Sequence, residues 1–266
     1  ARIEETYTRS IVDRVYRAAL AKLLPYPGRF RLALAAARAA KPFAWLFASL
    51  GVAPIAAMLR LAPAQVPSAT IPPSKHVFPA TGPRRGRVAL LSGCVDKVLR
   101  PSIREAAIRL LNRNGIEVVL PAGERCCGSL PHHMGREDEA LRFAKHNIDV
   151  WIRELEGEGL DALLMTASGC GTTIKDYGFM LRNDPVYEQK AATIASLAMD
   201  IAEYLAKIVI ADPETPKQIT IAYHSACSMQ HGQRISQQPK ELLTRAGFAV
   251  RDVPEGHLCC GSAGTY

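Results

Sequence analysis

Val88-Ala89-Leu90-Leu91-Ser92-Gly93-Cys94 runs an apolar stretch of strand length into a small-residue turn that ends on a thiol. The same arrangement returns where Ile219-Thr220-Ile221-Ala222 leads into Ser225-Ala226-Cys227. Cys94 is followed 32 positions later by Cys126-Cys127-Gly128, and Cys227 is followed 32 positions later by Cys259-Cys260-Gly261. A matched spacing that closes on the same tripeptide implies an internal duplication, and what is duplicated is sulfur chemistry.

Outward from these two stretches, strands and helices alternate. Arg87–Ser92, Ile116–Leu120 and Asp161–Thr166 are predicted strands. Pro101–Arg113, with Ile103, Ala106, Ala107, Leu110 and Leu111 on one face, and Arg136–Glu156 are predicted helices, followed by one helix over Ala191–Ile208. The unit then restarts with strand Gln218–Tyr223, helix Pro239–Ala246 and strand Phe248–Val253. Strands alternating with helices predict an α/β fold of two duplicated Rossmann-like units with parallel sheets. A helical N-terminal segment over residues 1–62 precedes them, with a Pro25-Tyr26-Pro27-Gly28 break. The domain reading is a helical segment at 1–62, a Pro-rich linker at 63–86, a first unit at 87–210 and a second, truncated unit at 211–266.

Loops that follow parallel strands emerge at one edge of the sheet, where ligands bind. Cys94, Cys126 with Cys127, and Cys170 follow the first, second and third strands, so the fold is expected to gather them there. Four converging thiolates are the donor set of a tetrahedral zinc site or an iron–sulfur cluster. The chain has neither the C-x2-C knuckles of zinc ribbons nor the C-x2-C-x2-C runs of cubane ferredoxins. Buried, unligated cysteines are the plainer reading, and duplication at matched spacing argues against it.

Seven cysteines, an odd number with two vicinal pairs, make a poor disulfide framework. Without a secretory signal pattern at the start, the expected setting is the cytoplasm, at the inner face of the membrane. The net charge of +8 is uneven: residues 1–100 carry +12 and the remainder −4. The basic segment suits an acidic partner or anionic head groups, whereas 6% aromatic residues and no recognition module argue against nucleic acid. Phe43 to Leu59 is uncharged over 17 residues, short of the roughly 20 a membrane span needs, and Gly51 and Pro54 interrupt it. A buried or interfacial helix pair is expected there.

The pattern Cys–(x31)–Cys-Cys-Gly with a later Gly-Cys resembles the cysteine-rich CCG domain of heterodisulfide reductase and related flavin-linked oxidoreductases. More closely, Leu91-Ser92-Gly93-Cys94, Thr166-Ala167-Ser168-Gly169-Cys170-Gly171, Lys175-Asp176-Tyr177-Gly178 and His257-Leu258-Cys259-Cys260-Gly261-Ser262-Ala263-Gly264-Thr265-Tyr266 resemble the iron–sulfur subunits of bacterial glycolate oxidases (glycolate dehydrogenases). The resemblance implies an oxidoreductase subunit that relays electrons from FAD-binding subunits, which oxidise glycolate to glyoxylate, towards the membrane quinone pool. It implies cluster ligation by Cys94, Cys126, Cys127 and Cys170, and by Cys227, Cys259 and Cys260. The implied group is an iron–sulfur cluster of the [4Fe-4S] type, with zinc the alternative in one copy; for the first copy, no metal at all also remains open.

In that family a ferredoxin-like domain precedes this region, so a fragment is expected. The repeat also places a counterpart of Cys170 roughly 40 residues beyond Tyr266. Heterodisulfide-reductase-type domains often end each repeat on C-x2-C. Here Cys170-Gly171-Thr172-Thr173 ends on threonine, which argues against a non-cubane cluster of that type in the first copy. Related lactate or glycerol-3-phosphate dehydrogenase subunits, or a zinc-stabilised scaffold, are the alternatives.

His132 and His133 follow the first Cys-Cys-Gly, and His224 and His231 flank Cys227. The first pair reads more simply as polar loop residues, and duplicated thiols favour ligation over a Cys/His nucleophile. No Gly-rich dinucleotide fingerprint follows a strand, so no flavin or nicotinamide site, and no substrate oxidation, is expected on this chain alone.

Overall fold

A computed structural model describes residues 6–68, 71–72, 74–210, 213 and 219–258. Cys259, Cys260 and the rest of the last motif through Tyr266 lie outside the described residues, as does Gln218. The N-terminal segment is helical as expected: α1 (Ile11–Leu23), α2 (Pro27–Ala40), α3 (Ala44–Ser49) and α4 (Ala53–Leu61). Ser10 caps α1 by accepting from the Asp13 amide, and Pro27 occupies the first turn of α2, where its missing N–H costs nothing. The uncharged run folds into α3 and α4, broken at Gly51 with φ 76°. Trp45, Leu50 and Leu61 on this pair are exposed rather than buried.

The centre is a five-stranded sheet in the order β1-β3-β2-β4-β5, built from β1 (Val77–Phe78), β2 (Gly86–Leu90), β3 (Ile116–Val119), β4 (Ala162–Met165) and β5 (Ala198–Asp200). β1 runs antiparallel to β3 at the edge, inside the span 63–86 read as a linker; every other pairing is parallel. Apolar side chains on both faces explain why these strands read as continuous hydrophobic runs. Val88, Leu90, Val118, Ala162 and Leu164 pack on one face with α6 (Pro101–Arg113) and with Tyr204 and Leu205 of α12 (Ile201–Lys207). Ala89, Leu91, Val119, Leu163 and Met165 pack on the other with Phe143, Ile148 and Trp151 of α8 (Glu137–Glu156).

Two local expectations differ from the fold. α6 buries Arg104, Ala107, Ile108 and Leu111, an i, i+3, i+4, i+7 stripe, and leaves Ile103 and Leu110 exposed. The single helix expected over Ala191–Ile208 is interrupted. α11 (Glu188–Leu197) ends, β5 adds an edge strand to β4, and α12 begins from a capping box. In that box the Asp200 side chain accepts from the Ala202 amide while Glu203 accepts from the Asp200 amide.

The second unit repeats the start of the first. β6 (Thr220–Tyr223) and β7 (Ala249–Asp252) are parallel and joined through α13 (Gln238–Arg245), as β2 and β3 are joined through α6. The register differs by one residue: Val88 lies opposite Val118, thirty residues on, and Ile221 opposite Val250, twenty-nine on.

Candidate metal centre

Three loops at the carboxyl edge of the sheet carry the first set of cysteines. The loop after β2 turns at Gly93, φ 64°, and places Cys94 just before α5 (Asp96–Leu99). The loop after β3 carries Cys126 and Cys127, each 3% exposed, and turns at Gly128, φ 83°, into α7 (Ser129–His133). The loop after β4 opens α9 (Ser168–Lys175), with Cys170 in its first turn. Helix N-termini next to the thiols favour their charged form.

The thiols form a continuous row. Cys94 bonds side chain to side chain with Cys126, Cys126 with Cys127, and Cys127 with Cys170. Without a cation beside them, neighbouring sulfurs and burial oppose ionisation. The bond to Cys127, followed by burial, pushes Cys126 up to about 12, although the bond with Cys94 pulls the other way. Cys94 is raised further by its bond to Cys126 and by burial. For Cys127 the bond with Cys126 lowers the value, but that with Cys170 and burial carry it well above the ordinary thiol range. Among the described residues, no three His, Cys, Asp or Glu side chains close on a single ion.

The donor set nonetheless fits a soft-metal centre with several metal atoms. Four sulfurs adjoin, the Gly128 amide donates to Cys126 Sγ at 3.4 Å, and a cavity of about 420 Å³ opens beside Cys94 and Cys126. Pro25, Tyr26 and Pro27, the break between α1 and α2, line that cavity, and the Tyr26 ring meets Phe143 at 5.9 Å. The N-terminal segment therefore roofs the cysteine edge.

Three residues that sequence reasoning did not single out hold the vicinal pair in place. Asn147, wholly buried on α8, donates to the carbonyls of Arg125 and Cys126 and accepts from the Arg125 amide. Tyr177 donates its hydroxyl to the Cys127 carbonyl at 2.6 Å. Glu124 accepts from the Ser92 amide at 2.7 Å and from Trp151 Nε1 at 3.1 Å, tying the loops after β2 and β3 together. Burial pushes its carboxyl up to about 7 against those two hydrogen bonds. An asparagine amid the apolar positions of α8 was the available signal for Asn147. Tyr177 stood within a quoted motif, with no role attached.

The remaining site residues are less assembled. Thr173, at the position where a fifth cysteine would stand, donates to the Gly169 carbonyl. Cys227 is half-buried at the start of the Ser228–Gly232 turn. That turn docks on α9: Ser228 Oγ donates to Ser168 Oγ at 2.7 Å, and Thr172 Oγ1 to the Ser228 carbonyl at 3.0 Å. Its expected companions Cys259 and Cys260 lie outside the described residues. His132 and His133 meet ring to ring at 5.7 Å at the end of α7, and His133, His224 and His231 are exposed.

Parallel strands delivering cysteines from successive loops define a cysteine-rich α/β domain. The cysteine-rich (CCG) domain family matches residues 88–175 and 221–266, two segments that between them contain all seven cysteines. The chain belongs to this family. It is 35% identical over 265 residues to the glycolate oxidase iron–sulfur subunit of Escherichia coli (strain K12), covering 99% of this chain and 60% of that protein. It is 30% identical over 194 residues to a probable glycolate oxidase iron–sulfur subunit of Bacillus subtilis (strain 168), covering 71% of this chain and 42% of that protein. With lactate utilization protein A of Halalkalibacterium halodurans it shares 24% identity over 182 residues, 68% of this chain and 72% of that protein. The chain thus spans less than two thirds of the two glycolate oxidase relatives.

Proposed function

We propose that this chain is part of the iron–sulfur electron-transfer subunit of a glycolate oxidase. The observation that carries the reading is the row of Cys94, Cys126, Cys127 and Cys170 at the sheet edge, in a chain aligned along 99% of its length with a subunit of that name. Cys94, Cys126, Cys127 and Cys170 would hold one centre, and Cys227 with Cys259 and Cys260 a second. Thiolate-held iron accepts and donates single electrons. The chain's own residues bury the sulfurs, keep the Cys-Cys loop in place through Asn147 and Tyr177, and cover the edge with Tyr26.

Glycolate oxidation needs a two-electron acceptor, which we assign to FAD on a partner subunit, with the quinone pool downstream. We take the first centre to be [4Fe-4S], because Thr173 supplies no fifth thiolate. Among the described residues no helix is long and apolar enough to cross a membrane. Exposed Trp45, Leu50 and Leu61, with Lys41 and Arg60 on the same segment, support peripheral contact at the cytoplasmic face. The lactate utilization relative supports a second reading, in which another 2-hydroxy acid feeds the partner flavin.

Anaerobic reconstitution with iron and sulfide, followed by iron analysis and electron paramagnetic resonance of the dithionite-reduced protein, tests the first centre. A reduced-cluster signal that Cys127→Ser removes or alters supports the assignment. A wild-type protein that takes up zinc and no iron contradicts it.

A further inference from the structure

A second cavity, about 740 Å³, opens between α2, α6, the chain before β1 and the loops after β2 and β3. It lies beyond the cysteine row, sharing only Ser92, Lys97 and Glu124 with the cavity at Cys94 and Cys126. We propose that it binds a small doubly charged oxyanion, phosphate or a dicarboxylate.

Four cations line it: Arg31, Lys75, Lys97 and Arg104. The single carboxylate among the described lining residues, Glu124, already spends one oxygen on the Ser92 amide and the other on Trp151. Arg104 decides the matter. It is only 6% exposed, and its Nε is sealed from solvent with no hydrogen-bond partner among the described residues. A buried donor left unmade is costly, and a guanidinium presents a planar fork matched to carboxylate and phosphate oxygens. Lys97, whose charge is opposed by partial desolvation at the rim and then by Arg104 and Arg31, is only partly relieved by Glu124. An incoming dianion would supply the acceptor that Arg104 lacks and offset the crowding of like charge. Ile71, Pro72, Leu120 and Pro121 supply apolar walls, which suit a compact ligand rather than open counter-ion condensation. Lys75 and Lys97 are exposed at the rim and Arg104 is buried, so the field draws an anion inward.

The test is calorimetric titration of the purified chain with inorganic phosphate and, separately, malonate, at fixed ionic strength in chloride. Saturable binding of one or both at a single site is expected, and the stronger arm identifies the ligand class. Arg104→Met should weaken binding about tenfold, the loss of one charge-assisted hydrogen bond, and Arg104→Lys should weaken it less. Should Arg104→Met fail to fold, the surface pair Lys75→Ala with Lys97→Ala decides, and a several-fold loss is expected. Absence of saturable binding to the wild type would overturn the proposal. So would unchanged affinity in folded Arg104→Met or, where that variant does not fold, in the Lys75/Lys97 pair.

Discussion

Gly128 holds the turn that follows the vicinal cysteines at φ 83°, and a β-carbon built there would meet the Ala140 carbonyl oxygen at 2.9 Å. Both objections concern backbone, so neither is relieved by a side chain swinging away. Gly128→Ala is expected to destabilise the fold by roughly 1–3 kcal/mol, read as a fall in the urea midpoint. Because the strain falls next to Cys127, reconstituted iron content should drop with it. At this scale the sequence was informative about the sulfurs and silent about their supports. The thiols and glycines announce themselves by type and spacing. Asn147, Tyr177 and Glu124 act through hydrogen bonds to residues 21 to 50 positions away, and no local pattern encodes those.

Among the elements, the junction between α11 and α12 shows where periodicity misleads. Ile194, Leu197, Ala198, Ile201, Tyr204 and Leu205 continue at helical spacing straight through the break, so the apolar pattern alone reads as one helix. Asp200 and Glu203, three apart, are the capping-box signature that located the break and went unused. β5 exists because β4 has an open edge and Ala198, Met199 and the cap residue Asp200 pair with it. By contrast β2, β3, β4, α6 and α8 were legible, since their apolar runs are bounded by Gly, Pro and charged residues that act locally.

Burial raises the Asp200 carboxyl above its ordinary value. The native state therefore binds this proton more tightly than the unfolded chain. The associated stability is fully present below the unfolded value of 3.8, and it is lost as pH rises through the raised native value. Asp200→Asn keeps a capping acceptor without the charge, so chemical denaturation across that window should show a flatter pH dependence. Asp200→Ala loses the cap as well and should cost about 1 kcal/mol at neutral pH.

For the molecule as a whole, two parallel α/β starts with matching element order account for the duplicated cysteine spacing. They meet where the Cys227 turn packs on the Cys170 helix, so the two proposed centres would lie on neighbouring elements. The basic N-terminal helices roof the first edge and leave apolar side chains facing outward, an arrangement suited to docking. The central claim is that the cysteine row passes electrons onward and does not oxidise substrate. Stopped-flow spectroscopy of the complex assembled with the proposed flavoprotein partners, comparing wild type with Cys126→Ser, tests it most directly. On mixing with glycolate, the flavin should be reduced at the wild-type rate in both. Reduction of a quinone analogue should be strongly slowed in Cys126→Ser alone. Full-speed quinone reduction by a Cys126→Ser complex that has lost its iron would contradict the account.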